Sequence, residues 1–293
     1  MRILVTGSNG LLGQKIIRQL VKKNVTFLAT SLGENRNDAC PTELYRPMDI
    51  TNLEDIAQVM SAFKPSHVIH TAAMTNVDAC ELDAATCQKI NVDAVRYLAS
   101  ECQKMGVHFQ LLSTDFVFDG KKGNYAEEDQ PNPQSVYARS KVEGEKLVLQ
   151  MPHLNYSIVR TIIVYGKGQN LSRSNIVLWA KDALQKGQEL TIIDDQFRAP
   201  TWADDLAWAC IQICRQNEQG IFHIAGPETM SIFALVERIA KHYHLPMSQV
   251  KRTDSSTLNQ PAVRPPKTGF NLSKAEKVLG YRPKSLEETL DLL

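Results

Sequence analysis

At 293 residues, 43% apolar and 22% charged, the chain can bury a full core in one large domain or in one domain plus a smaller lobe. It holds no apolar run long enough to span a bilayer. A formal net charge of +1, with the basic residues scattered, argues against a nucleic-acid surface and for small partners. The six cysteines (Cys40, Cys80, Cys87, Cys102, Cys210, Cys214) form no C-x-x-C pair and meet no His cluster at zinc-finger spacing. Cys210 and Cys214 share a helical face, yet buried free thiols are the simpler account, and no metal is expected.

The N-terminus, MRILVTGSNG, enters a strand pattern at once and leaves no room for a signal peptide, so a cytoplasmic protein is expected. That strand runs into VTGSNGLLGQKI, where Gly7, Gly10 and Gly13 fall between strand and helix. Gly7 permits the tight turn, Gly10 lets the backbone approach a pyrophosphate, and Gly13 allows the helix to pack close on the sheet. The helix start adds N–H donors and a positive dipole end, and Asn9, Leu11 and Leu12 are expected to join it in holding a dinucleotide. Glycines alone are weak evidence; between the first strand and helix of a βαβ chain they are strong.

The second strand, VTFLATS, carries Thr30 and Ser31 at its tip. NAD-selective folds place an acid there to bond the ribose hydroxyls. Here Glu34 lies beyond the strand and Arg36 follows it, an arrangement suited to a 2′-phosphate. NADPH is therefore expected in preference to NADH.

The runs LEDIAQVMSAF, HVIHTA, CQKINVDAVRYLASECQKMG and HFQLLST continue the alternation of helical and strand patterns. It predicts an α/β fold with a doubly wound parallel sheet of the Rossmann kind. Next, SVYARSK sets Tyr137 four positions ahead of Lys141, so both project from one helical face. The pair is either a surface accident or a tuned acid, since a neighbouring cation lowers a phenol's pKa from its usual value of about 10. The alternation holds to about residue 160. Residues 1–165 read as the dinucleotide-binding domain, with later segments returning to it, and 166–293 as mixed segments of a smaller substrate lobe. The latter comprise a polar stretch (Lys167–Ser174), a helix from Asn175, a strand at Leu190–Ile193 and the helix WADDLAWACIQICRQ. A loop (Thr253–Thr268) and two short helices complete them.

The G-x-x-G-x-x-G spacing, with Tyr137-x-x-x-Lys141 downstream, resembles the extended short-chain dehydrogenase/reductase family. The resemblance implies that Tyr137 protonates a carbonyl oxygen as hydride arrives and that Lys141 holds the nicotinamide ribose. A third member should be a hydroxyl that bonds the substrate oxygen. LLSTDFVFDG supplies it at a strand's C-terminal end; Thr114 is the choice, with Ser113 as its alternative. The runs STDFVFDG, VYARSKVEGE, VRTIIVYG, DDQFRAPTWADDLA and RPPKTGFNLSKAEKVLGYRP together look like the dTDP-4-dehydrorhamnose reductases, collinear over nearly the whole chain.

By that resemblance Asp49 and Ile50 lie near the adenine, and Thr71, Ala72, Ala73, Thr75 and Val77 line the cofactor and sugar pocket. Asn91 would help to order the proton relay, although a polar residue on an amphipathic helix could equally face solvent. Arg264 would meet the nucleotide diphosphate. Phe116, Ile163 and Arg198 stand on the substrate side where these reductases usually carry tyrosine, tryptophan and often glycine. The implied activity is NADPH-dependent reduction of the 4-keto group of a nucleotide-linked deoxysugar. A sugar-nucleotide dehydratase or epimerase is a second reading, weakened because Phe116 follows Asp115 where dehydratases carry a glutamate. A third is a non-catalytic NADP-binding subunit, since RTIIVYG and FRAPT also resemble the regulatory β subunit of methionine adenosyltransferase. A nucleotide sugar is the expected partner, with no nucleic acid or membrane, and a homodimer is left open.

Overall fold

A computed structural model describes residues 1–293. The chain opens with β1 (Arg2–Thr6), α1 (Leu11–Lys22), β2 (Thr26–Ser31), β3 (Tyr45–Pro47), α2 (Leu53–Phe63) and β4 (His67–His70). Short α3 (Val77–Leu82) and α4 (Ala84–Gln88) precede α5 (Ala94–Met105), β5 (His108–Thr114), α6 (Val136–Gln150) and β6 (Tyr156–Thr161). Then come β7 (Val164–Tyr165), α7 (Ile176–Gln185), β8 (Leu190–Ile193), β9 (Phe197–Arg198), β10 (Thr201–Trp202) and α8 (Ala203–Gln216). β11 (Gly220–Ile224), β12 (Met230–Ser231), α9 (Ile232–His242), β13 (Val250–Thr253), α10 (Ser273–Leu279) and α11 (Leu286–Leu290) complete it.

Seven strands form one sheet in the order β11-β6-β5-β4-β1-β2-β3, and every neighbouring pair is parallel. Helices cover both faces, which is why β1 past Arg2 and all of β4 are continuously buried rather than alternating. On one face Ile3, Val5 and Phe222 pack against Ile16 and Leu20 of α1 and Leu206 and Cys210 of α8. On the other, Leu4, Val68 and Phe109 meet Met60 of α2 and Leu98 of α5. The chain runs outward from β1 to β2 and β3, then crosses back to β4 on β1's other side. That reversal opens a crevice at the C-terminal strand ends, where open α/β sheets bind ligands.

Helix starts follow the local chemistry. Asn52, Ser135 and Asn175 cap α2, α6 and α7, each accepting a backbone N–H of the first turn. By contrast α1 begins at Gly10 with no side-chain cap. The stretch read as one helix before residue 106 is divided: a π-helical turn, Lys89–Asp93, joins α4 to α5. From Val164 onward, α8, β11 and α10 return to the sheet, whereas α7, α9, α11 and β8 enclose a separate core around Tyr165, Trp202 and Leu235. β13, outside the elements expected from the sequence, pairs with β8. All six cysteines are buried and free. No helix is long and apolar enough to cross a membrane.

Candidate active site

The glycine turn meets the loop after β4. Gly7 has φ +69°, and a Cβ there would lie 2.6 Å from the Ala72 nitrogen; at Gly13 it would lie 2.3 Å from the Gly7 carbonyl oxygen. Both contacts are closer than a side chain can tolerate, so the backbone itself forms the cradle. Thr71 Oγ1 donates to the Thr6 carbonyl (2.6 Å), and Ala72 and Ala73 follow half-buried. Asn9 ties the turn to the loop after β2, donating to the Glu34 carbonyl (2.8 Å) and accepting from the Arg36 N–H (2.9 Å). Leu11 and Leu12 open α1 half-buried. Ser31 ends β2 half-buried, Glu34 lies beyond it, and the exposed Arg36 enters no ion pair. Asp49 spends Oδ1 on Thr51, and Ile50 packs on the core under α2.

Buried polar atoms normally find partners. Ser8 Oγ, on the turn, and Asn37 Nδ2, just past Arg36, find none within the chain. These orphaned groups, the glycine cradle and the uncapped start of α1 fit an anionic dinucleotide.

Across the crevice, Tyr137 and Lys141 both project inward from α6 and are almost fully buried. Successive residues of β5 face opposite sides, which separates the two candidate hydroxyls. Ser113 Oγ donates to buried Glu145 (2.5 Å), whereas the Thr114 hydroxyl lies beside the Tyr137 phenol. Thr114 Oγ1 also donates to Asp115 Oδ1 (3.1 Å) and accepts the Phe116 N–H (3.2 Å).

The electrostatics differ from the expected tuning. Burial raises the Tyr137 phenol well above its ordinary range, opposed by the Thr114 hydroxyl and by Arg173. Lys141 is engaged by the strand. Its Nζ donates to the Leu112 carbonyl (2.7 Å), and burial lowers its own pKa to about 8 against the pull of Glu145. Glu145 is held bidentately by Arg160, Nε at 3.0 Å and Nη2 at 2.7 Å, with both side chains 2% exposed. Asn91 does not face solvent. Its amide bonds the Met74 N–H (2.9 Å), the Met74 carbonyl (3.0 Å) and Ser140 Oγ (3.1 Å), fixing the loop beside α6.

Among the residues expected on the substrate side, Thr75 accepts from Arg173 (2.6 Å), and half-buried Val77 and Phe116 both pack on the small cluster around Tyr137. The Phe116 ring meets the Tyr137 ring edge-on at 6.1 Å. Ile163 has φ +32°, a strained conformation for a β-branched residue. Arg264 is paired with Asp78 (2.7 Å). Arg198, expected to contact substrate, is instead buried, its guanidinium occupied by backbone carbonyls and lying 3.7 Å from Asp115. Burial raises the Asp115 carboxyl, with Arg198 and Thr268 acting against it.

A family model described as the RmlD substrate binding domain matches residues 1–293. The chain belongs to the RmlD family. A solved dTDP-4-dehydrorhamnose reductase from Clostridium acetobutylicum superposes with a TM-score of 0.87 at 31% identity, over 100% of this RmlD-family chain and 99% of its own. A dTDP-4-dehydrorhamnose reductase from Bacillus anthracis, solved in complex with NADP, gives a TM-score of 0.85 at 26% identity, covering 99% and 97%. The methionine adenosyltransferase 2 subunit beta of Rattus norvegicus is 30% identical over 96% of this chain and 84% of its own length.

Sequence reasoning missed Glu145 and Arg160 beneath Ser113, Asp78 beside Arg264, and Arg173 above Thr75. The i,i+4 spacing of Lys141 and Glu145 was the one available signal.

Proposed function

We propose that this RmlD-family chain is an NADPH-dependent reductase of the 4-keto group of a dTDP-linked deoxysugar, with dTDP-4-dehydrorhamnose as its first candidate. The observation that carries this is the convergence of Thr114, Tyr137 and Lys141 at the C-terminal strand ends, next to the glycine cradle. When bound, NADPH supplies the hydride. The chain's residues supply the rest. Tyr137, with the Thr114 hydroxyl beside it, presents its O–H to the carbonyl oxygen, and the phenol gives up the proton that the product alcohol needs. A phenol carries its proton at neutral pH and burial raises it further, so the acid is loaded for reduction. Lys141 brings positive charge to the same face of α6 and, with a pKa of about 8, is mostly ammonium at neutral pH. The smaller lobe, within 166–293, supplies the substrate side.

A second reading, an NADP-binding regulatory subunit, is favoured by one observation: Arg198 and Arg264, the substrate-side cations, are both engaged within the chain. One experiment separates the two. Oxidation of NADPH is followed on adding dTDP-4-dehydrorhamnose, then GDP- and UDP-linked 4-keto sugars. Turnover with any of them supports the reductase; tight NADPH binding with no turnover on the whole panel overturns it.

A further inference from the structure

Residues 262–268 form a strap that joins the substrate side to the catalytic strand. At its start Ala262 N–H and Arg264 Nη2 donate to the two oxygens of Asp78 (3.2 and 2.7 Å). Farther on, Phe197 N–H donates to the Pro266 carbonyl (2.7 Å), Lys267 N–H to the Gly120 carbonyl (3.2 Å) and Thr268 N–H to the Phe197 carbonyl (3.1 Å). Gly120 has φ +78°, and a Cβ there would lie 2.7 Å from Pro265 Cβ, so the turn after Phe116 is shaped to admit the strap.

Arg198 sits beneath it, 2% exposed. Nη2 donates to the Pro265 carbonyl (2.6 Å) and Gln196 Oε1 (3.3 Å); Nη1 donates to the carbonyls of Phe197 (2.7 Å) and Pro266 (3.3 Å). Nε lies 3.7 Å from Asp115 Oδ2. Nη1 and Nη2 thus make four hydrogen bonds within the chain, and Nε stands at ion-pair distance from the Asp115 carboxylate. The guanidinium face covers the Phe116 ring at 5.4 Å. Asp115 in turn accepts Thr114 Oγ1 on one oxygen and Thr268 Oγ1 on the other. A mere fastener would not need this charge, because a buried ion pair is commonly no more stabilising than well-packed apolar residues. What the pair supplies is direction: one rigid fork touches both the carbonyls that follow Arg264 and the carboxylate that receives the Thr114 hydroxyl.

We propose that Arg198 is a positioning residue that, through Asp115, fixes the Thr114 hydroxyl and the strap bearing Arg264 in one geometry. The proposal rests on the reductase reading above. It separates two arms. Arg198 touches the strap and Asp115, so its loss affects substrate binding and turnover together. The Thr268 hydroxyl touches Asp115 at the end of the strap, where the backbone bonds of Lys267 and Thr268 to Gly120 and Phe197 persist without it, so its loss weighs on turnover more than on substrate binding.

The test uses the full chain with NADPH and dTDP-4-dehydrorhamnose. R198M is expected to raise KM and lower kcat, each about 10- to 100-fold, the scale of a displacement near 1 Å at a reacting centre, with the Kd for NADPH unchanged. R198K, which keeps the charge and loses the fork, should recover only part of either. T268V should lower kcat with KM near the native value, and T268S should restore it. A raised KM with native kcat in R198M, or native kcat in T268V, overturns the proposal. The strap arm also has a readout that needs no turnover: the Lys267 and Thr268 amides of R198K should exchange hydrogen at least about tenfold faster than in the native chain. Unchanged exchange overturns that arm. If R198M fails to fold, R198K and the T268V/T268S pair carry the test. Absence of turnover in the native chain, with exchange altered as expected, would refute the reductase reading and leave the strap arm standing.

Discussion

The two sides of the crevice are built from different material. Around the glycine turn the surface is mostly backbone: Gly7 against Ala72, Gly13 against Gly7, and the uncapped amides of α1. On the opposite side it is side chains from segments far apart in the chain, namely Asp78, Asp115, Phe116, Ile163, Arg173, Arg198 and Arg264, several bonded to one another. A backbone site is set by local conformation, and a short motif suffices to write it. A side-chain site is set by which distant segments meet, and its members can be exchanged in pairs while the fold stays the same.

The sharpest way to separate the sides is to remove the phenol proposed as the acid. Tyr137→Phe keeps the ring against Phe116, so the fold and the Kd for NADPH should persist while kcat falls about 100-fold or more, as measured by steady-state NADPH oxidation. Near-native kcat would remove Tyr137 from the proton transfer.

Breaking the cradle comes next. Gly13→Ala places a methyl 2.3 Å from the Gly7 carbonyl, and overpacking of this kind typically costs about 1–3 kcal/mol. The expected result is a lower Tm and weaker NADPH binding by isothermal titration. The matching lesion on the other side, Arg264→Ala, should raise KM for the sugar nucleotide about tenfold and leave NADPH binding intact, since a hydrogen bond to a charged group contributes about 1.5–3 kcal/mol. Arg264→Lys should recover only part, because an ammonium lacks the fork that meets a diphosphate. Should both variants weaken both ligands alike, the division between the sides would be wrong.

Lys141 sits where the sides meet, and its titration gives a smaller effect. Its pKa is lowered from 10.5 to about 8, so the ammonium is lost as pH rises through about 8 and turnover should decline across that limb. The sign for stability is opposite. Between about 8 and 10.5 the unfolded chain binds the proton that the folded chain has released, so stability without ligands should rise with pH there. Lys141→Met should abolish both trends in rate and Tm profiles. The smallest effect is expected at Arg36, exposed and free of acidic partners: Arg36→Ala should narrow the preference for NADPH over NADH by several-fold, with kcat unchanged.

Legibility in the sequence followed the same division. The glycine turn, the order of the sheet's helices and strands, and the Tyr137/Lys141 face all rest on short-range spacing, and the sequence carries them. Asn91 was ambiguous because a polar residue in a helical pattern has no visible partner until the π-helical turn brings it against Met74. Arg198 was misread because its partners, Asp115 and Pro265, lie far away along the chain in either direction and share no periodicity with it. The phenol's environment was misjudged for a related reason. The i+4 lysine is visible in sequence, but the burial that outweighs it, and the Leu112 carbonyl that takes its ammonium, are properties of the assembled crevice.

The six buried thiols equip the molecule with an internal reporter. A thiol reagent modifies a cysteine only through its thiolate and only on contact, and here burial denies contact and raises the pKa of Cys40, Cys80, Cys102, Cys210 and Cys214. Labelling of the native chain therefore counts openings. Cys40, Cys210 and Cys214 sample one face of the sheet, Cys102 the other, and Cys80 and Cys87 the small cluster around Tyr137. Mass spectrometry of the labelled sites would thus time three regions in one experiment. A ligand that tightens only the corner around Tyr137 would slow labelling of Cys80 and Cys87 while the other four kept their native pace.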